Sequence, residues 1–252
     1  MMLRGQRILV TGATGAIGRA VCRALAAEGA EVVIHFGRNR AAADRLLSEI
    51  GGRGLAVQAD LSDPAAPEAL WAAAEARGRI TGLVNNAGIR SEVGLDAPMP
   101  DWQAVWLREF RVNLFAAADL TRLAIAHFRR FRTRGGGRIV NMASRAGQRG
   151  YASEAMAYGA SKAALINLTR SVAQSHGAEG ITAVAIAPGW VRTEMAEAFV
   201  ARHGEAAALA GIPVGRMATP EEIGELTAFL FRPSQLSLNG AVLDVNGGRY
   251  LR

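Results

Sequence analysis

The chain has 252 residues, half of them hydrophobic and a fifth charged, which fits one large α/β domain with ample material for a core. Its one cysteine, Cys22, excludes an internally disulfide-stapled scaffold. No apolar run is long enough to cross a bilayer, and Arg4 and Arg7 interrupt the N-terminus before a signal-like stretch develops, so a cytoplasmic protein with no membrane partner is expected. Lys plus Arg number 29 against 22 Asp plus Glu, a net charge of +7, yet the arginines are mostly scattered and no nucleic-acid partner is expected.

Apolar runs alternate with helical periods from end to end. Residues 7–10 read as a short buried strand followed by a glycine-rich turn. Ile17, Ala20, Val21, Ala24 and Leu25 recur at helical spacing until Gly29. Strands are predicted at 31–36, 54–58, 82–85, 138–142, 181–187 and 240–245. Helices are predicted at 41–50, 64–77, 101–132 with a break near Asn113, 158–176, 193–210 and 220–231. Arg129, Arg130, Arg132, Arg134 and Arg138 cluster where the long helix ends before Gly135-Gly136-Gly137, a place where cations complement the helix dipole.

Seven strands separated by helices imply parallel pairing by crossover, with helices on both faces. No linker or repeat divides the chain. The expected fold is therefore a single doubly wound, Rossmann-type domain over residues 1–252, with a seven-stranded parallel sheet and ligand beyond the carboxyl ends of the strands.

The segment Thr11-Gly12-Ala13-Thr14-Gly15-Ala16-Ile17-Gly18 follows the first strand and opens the first helix. There a pyrophosphate can approach bare backbone N–H groups at a helix N-terminus, which favours negative charge; Gly12, Thr14, Gly15 and Ile17 are its candidate contacts. An acid at the end of the second strand would bind the ribose hydroxyls of NAD, but His35-Phe36-Gly37-Arg38-Asn39-Arg40 contains none. Arg38 or Arg40 can instead pair with a 2′-phosphate, so NADP is the favoured cofactor and NAD the alternative, with Arg38 as the candidate contact.

Tyr158 and Lys162 are four residues apart at the start of a helix, hence neighbours on one face. A phenol is ordinarily too weak an acid to exchange protons near neutrality, and an adjacent ammonium lowers its pKa. Lys162 is also the only lysine in a chain that uses arginine everywhere else. Tyr158 can thus take a proton from an alcohol, or give one to a carbonyl oxygen as hydride arrives.

With these residues in place, the sequence closely resembles the short-chain dehydrogenase/reductase family over residues 6–248, and within it the 3-oxoacyl-carrier-protein reductase group most. The motifs stand in family order: Thr11–Gly18, Asp60, Asn85-Asn86-Ala87-Gly88, Asn113, Ser144, Tyr158-x-x-x-Lys162, and Pro188-Gly189 followed by Thr193. The resemblance implies a catalytic tetrad of Asn113, Ser144, Tyr158 and Lys162. Tyr158 would be the acid/base, Ser144 would hydrogen-bond the substrate oxygen, and Lys162 would bind the nicotinamide ribose and lower the tyrosine pKa. Asn113 would break its helix and hold a water that links Lys162 to solvent. Asp60 and Leu61 would sit at the adenine and Asn86, Ala87 and Gly88 at its ribose. Pro188, Gly189, Val191 and Thr193 would frame the nicotinamide, together with Tyr158 and Lys162. Asn85 is read as a buried structural amide that satisfies backbone groups. The candidate set contains no metal ligands.

Three positions depart from the family pattern: Ala16 for a glycine, Gly15 where NADP-preferring members often carry a cation, and Asn246 for an aspartate. The implied activity is a carbonyl reductase or alcohol dehydrogenase acting on a small ketone or alcohol. The alternative is a non-catalytic dinucleotide sensor or scaffold on the same fold. Substrate choice is assigned to segments 89–100 and 145–157 and to a flap at 190–214, where Tyr151, Met156, Trp190, Met195 and Phe199 line either a partly apolar pocket or the core. Arg145 and Arg149 face either an acidic substrate or water. Family members are commonly tetramers, so a homo-oligomer is expected; Leu114, Leu120, Leu123, Leu165 and Leu168 belong either to its interface or to the intrachain core.

Overall fold

The computed structural model describes residues 1–131 and 136–251; Arg132, Arg134 and Gly135 of the arginine-rich segment lie outside them. Seven strands form one sheet, β1 (Arg7–Val10), β2 (Glu31–Phe36), β3 (Gly54–Gln58), β4 (Gly82–Asn85), β5 (Arg138–Met142), β6 (Thr182–Pro188) and β7 (Val242–Val245). Their order is β3-β2-β1-β4-β5-β6-β7 and every pairing is parallel. The chain runs outward from β1 to β3, then returns to lay β4 on the other side of β1. That reversal opens the crevice in which ligands of such sheets bind.

Both faces of the sheet are buried, as the nearly continuous apolar strands require. Alternation at period two divides the core. Ile8, Val10, Val32, Ile34, Val84 and Val140 face a layer built by α1 (Ala16–Ala27), α2 (Arg40–Glu49) and α10 (Pro220–Phe231). Leu9, Val33, Leu83 and Ile139 face the opposite layer, built by α3 (Ala66–Glu75), α5 (Ala116–Arg130) and α7 (Met156–His176). α10 starts on a reciprocal cap: Thr219 Oγ1 accepts the Glu222 N–H at 3.3 Å, and the Glu222 carboxylate accepts the Thr219 N–H at 2.7 Å. It then packs so closely on α1 that a Cβ at Gly224 would lie 2.6 Å from the Ala20 carbonyl oxygen.

The helix expected over 101–132 is three pieces: α4 (Met99–Phe110), a π-helical turn (Arg111–Phe115) and α5. The break expected near Asn113 is this π turn, a widening that often marks a functional position in a helix. A short α6 (Ala146–Arg149) precedes α7, which begins at Met156 rather than Tyr158. The helix expected over 193–210 is divided into α8 (Glu194–His203) and α9 (Glu205–Leu209), because Gly204 adopts φ +81° and ends α8. Two of the leucines read as interface or core are not available to a subunit surface: Leu120 is fully buried and Leu165 is 1% exposed, both inside this chain's own core.

Candidate active site

A cleft of about 630 Å³ lies across the carboxyl ends of β1, β4, β5 and β6. At its β1 end the backbone of 12–18 is held bare. Gly12 has φ +61°, and a Cβ there would lie 2.8 Å from Ala87 Cα; one at Gly18 would lie 2.4 Å from the Gly12 carbonyl oxygen. The turn is tied to the loop after β4 by Thr11 Oγ1, which accepts the N–H groups of Asn86 at 2.9 Å and Ala87 at 3.0 Å. Asn86 returns its side-chain amide to the carbonyls of Thr11 at 2.9 Å and Gly12 at 3.1 Å. Thr14, Gly15 and Ile17 line the cleft where α1 begins, and no acidic side chain occupies the first turn of that helix. This cradle suits a diphosphate.

Further along, Arg38, Asp60, Leu61 and Gly88 line the same cleft. Asp60 Oδ1 accepts the N–H of Ser62 at 3.0 Å and its hydroxyl at 2.7 Å. Those bonds, with the charges of Arg38 and Arg108, hold the carboxyl below the usual carboxylate range. Arg40 is already paired, 2.9 Å from Asp44, so of the two candidate cations Arg38 is the one that faces the cleft.

The catalytic candidates converge at the β5 end. Ser144, Tyr158 and Lys162 line the cleft beside Pro188, Gly189, Val191 and Thr193. Ser144 accepts the Ala146 N–H at 3.1 Å, and its hydroxyl acts to lower the pKa of Tyr158. Lys162 is buried and donates to the Met142 carbonyl at 2.8 Å, with Nζ 5.8 Å from the centroid of the Tyr158 ring. Burial pushes its pKa down to about 8, and the charge of Glu109 opposes that fall. Burial pushes the Tyr158 phenol up to about 12, and Ser144 opposes that rise. The spacing implies a phenol lowered by Lys162, whereas burial is the largest influence on it here and raises it. Tyr158 holds its proton firmly.

Asn113 stands behind this group and does not line the cleft. It is 1% exposed, its Oδ1 accepts the Ile89 N–H at 2.8 Å, and its amide nitrogen lies within 3.1 Å of Ile89 O, Glu109 Oε2 and Ser161 Oγ. All these partners belong to the protein. A Cβ at Gly88 would sit 3.2 Å from Lys162 Nζ and 3.3 Å from Asn113 Oδ1, which explains the bare residue there.

A family model described as enoyl-(acyl carrier protein) reductase matches residues 12–249. The 3-oxoacyl-[acyl-carrier-protein] reductase FabG of Vibrio cholerae is 34% identical over the full length of both chains. A cis-4-hydroxycyclohexanecarboxylate dehydrogenase of Sinomonas cyclohexanicum is 38% identical over 95% of this chain and 94% of its own. The crystal structure of the 3-ketoacyl-(acyl-carrier-protein) reductase of Brucella melitensis, complexed with NADH, superposes with a TM-score of 0.88 at 32% identity, covering 99% of this chain and all of that one. The chain belongs to the short-chain dehydrogenase/reductase family.

As in a short-chain dehydrogenase/reductase, an oxidoreductase on a nicotinamide-binding Rossmann fold, the cleft residues converge from distant segments. Two residues, one behind the cleft and one on its wall, escaped sequence reasoning. Glu109 is fully buried, one turn before Asn113, and accepts the N–H of Ser91 and the Asn113 amide. Burial pushes its carboxyl up, opposed by those bonds and by the charge of Lys162. His35, 3% exposed, accepts the Gly12 N–H at 3.1 Å through Nδ1, while Nε2 lies 3.1 Å from the Ala59 carbonyl oxygen. It is a neutral ring that fixes the phosphate turn.

Other expectations sort cleanly. Asn85 is buried as expected, but its amide donates to side chains, Asn141 at 2.8 Å and Thr121 at 3.3 Å, rather than to the backbone. Asn246 bonds across a turn to the Tyr250 carbonyl at 3.0 Å. Tyr151, Trp190 and Met195 line the cleft; Met156 and Phe199 do not, and Phe199 packs instead against Trp190 in a tilted pair with centroids 4.7 Å apart. Thr193 caps α8, its hydroxyl accepting the Ala196 N–H at 3.4 Å. No described helix is long and apolar enough to cross a membrane.

Proposed function

We propose that this chain is an NAD(P)H-dependent carbonyl reductase, or in reverse an alcohol dehydrogenase, with Tyr158 as the proton donor. The observation that carries the reading is the meeting of Ser144, Tyr158 and Lys162 on the wall of the cleft that the nucleotide candidates also line. The bound nicotinamide supplies the hydride. Tyr158, protonated at neutral pH, gives its hydroxyl proton to the carbonyl oxygen as negative charge develops there. Ser144, which accepts from Ala146, keeps its own hydrogen to donate to the same oxygen. Lys162, anchored on Met142, keeps a positive charge beside the phenol and the ribose. Gly12, Thr14, Gly15 and Ile17 would hold the diphosphate, Asp60, Leu61, Asn86, Ala87 and Gly88 the adenosine end, and Pro188, Gly189, Val191 and Thr193 the nicotinamide. Segment 190–214, which carries α8 and α9, acts as the substrate flap.

The preferred cofactor is NADPH, because Arg38 faces the cleft where no acid follows β2. A second substrate reading, a 3-oxoacyl thioester on a carrier protein, is favoured by the names of the relatives. The test is one panel of ketones, matching alcohols and an acetoacetyl thioester, followed by nicotinamide absorbance with both cofactors. Turnover of any carbonyl supports the reading, and turnover of the thioester alone selects the second. No turnover of any member would refute both.

A further inference from the structure

Three arginines are buried among the described residues, and they differ in what offsets their charge. Arg7, 4% exposed, has Glu31 at 3.3 Å. Arg138, 6% exposed, donates to the carbonyls of Leu230 at 2.7 Å, Arg232 at 2.5 Å and Pro233 at 3.1 Å. Arg145, 9% exposed, makes no ion pair, and its buried Nη1 has no hydrogen-bond partner.

Arg145 lies on the cleft wall, next in sequence to Ser144. Its N–H donates to the Pro188 carbonyl at 3.0 Å, which pins it between the ends of β5 and β6. The charges that reach it are hostile ones. Arg249 and Arg149 add to burial in pushing its pKa down to about 10, and only Tyr151 opposes them. Arg90, which lies over the Tyr151 ring at 5.4 Å, is by contrast neutralised by Glu92 at 2.7 Å. Tyr151 in turn lies 5.7 Å from Tyr158, ring to ring, so this wall adjoins the proton donor rather than the adenosine end of the cleft.

A nearly buried guanidinium with like charges around it and no counter-ion is unfavourable unless something anionic joins it. In a concave wall such a group also focuses the field that draws anions in. Its planar fork of donors matches a carboxylate or a phosphate. We propose that Arg145 anchors the substrate, and that the substrate is an oxo or hydroxy compound bearing a carboxylate or phosphate away from the reacting carbon. The proposal rests on reading the cleft as a carbonyl-reducing site.

The test uses straight-chain keto acids of increasing length, their methyl esters and their phosphonate analogues, with NADPH. One anionic series should exceed the esters in kcat/KM by about ten- to a hundredfold, the value of a charged hydrogen bond. Whether carboxylate or phosphonate leads tells the two anions apart. Arg145→Gln should bring that ratio close to one, and Arg145→Lys, which keeps a point charge without the fork, should retain part of it. Use of neither anionic series above the esters by the unaltered enzyme, or an unchanged ratio in Arg145→Gln, would overturn the proposal. So would a parallel loss of NADPH affinity in Arg145→Gln, which would place the guanidinium on the cofactor. If no carbonyl is reduced, the reading of the cleft fails, yet calorimetry with the same carboxylates and their amides still decides this point. Saturable binding of the carboxylate alone, lost in Arg145→Gln, supports the anchor; equal binding of both, or of neither, refutes it.

Discussion

Asn113 donates its side-chain amide to Glu109 at 3.0 Å across one turn of a single helical run, and Glu109 is fully buried with its charge acting on Lys162. The last turn of α4, just before the π turn at Arg111–Phe115, thus carries on its inner face the carboxylate whose charge opposes the effect of burial on Lys162. Glu109→Gln keeps the shape and removes the charge. The Lys162 pKa should then fall further below its value of about 8, so the alkaline loss of activity should move about one pH unit lower. A pH–rate profile of both proteins checks this, and an unmoved alkaline limb would assign Glu109 a packing role only.

Cofactor choice is expected to turn on Arg38. The unaltered enzyme is expected to prefer NADPH over NADH in kcat/KM by about tenfold or more, the scale of one charge-assisted bond to phosphate. Arg38→Ala should lose most of that margin. Arg40→Ala should keep it, because Arg40 is engaged by Asp44 at 2.9 Å. Gly15 withholds a second cation, which keeps the preference modest.

Stability should fall on mild acidification. Burial lowers the pKa of both His35 and His127, and each ring accepts a backbone N–H, from Gly12 and from Ile80, both at 3.1 Å. The unfolded chain binds protons at the ordinary histidine pKa of about 6.5 and the folded one only lower. Their contribution is therefore complete above that pH and is lost as pH falls from it through the folded values, by at most about 1.4 kcal/mol per pH unit for each. Urea midpoints between pH 7 and pH 5.5 should drop, and His35→Gln should flatten the slope. A flat dependence in the unaltered protein would contradict this.

Assembly is expected to involve α4 and the π turn. Leu107 is 69% and Phe115 43% exposed there, whereas Leu120 and Leu165 are committed to the intrachain core. Light scattering should show a homo-oligomer, a tetramer in the favoured arrangement, and Leu107→Glu with Phe115→Glu should shift it toward smaller species. A monomer at micromolar concentration would end that expectation.

Most of the fold was legible because the strands are uninterrupted apolar runs between turn signals. The first five strands have the bounds their composition predicts. The divided helices were harder to see. Gly204 breaks the flap helix through a backbone angle that no apolar period encodes, and the π turn changes the phase of a helix without a glycine or proline to announce it. In the site, motif order located residues that line the cleft, but not the groups behind them. Glu109 reads as a surface acid in a charged helix, and only its position one turn before Asn113 hinted at burial. His35 reads as one more residue of an apolar strand, although a histidine directly before a turn that must offer bare N–H groups was a usable signal. The rise of the Tyr158 pKa is not legible in the spacing, which reports the neighbouring ammonium and says nothing of desolvation.

The central claim, proton donation by Tyr158 to a carbonyl oxygen, is tested most directly by Tyr158→Phe. On the best carbonyl of the panel, kcat should fall by about a hundredfold or more, the usual contribution of a general acid, while NADPH binding measured by fluorescence titration stays nearly intact. A Tyr158→Phe enzyme that keeps the rate of the unaltered protein would contradict the account.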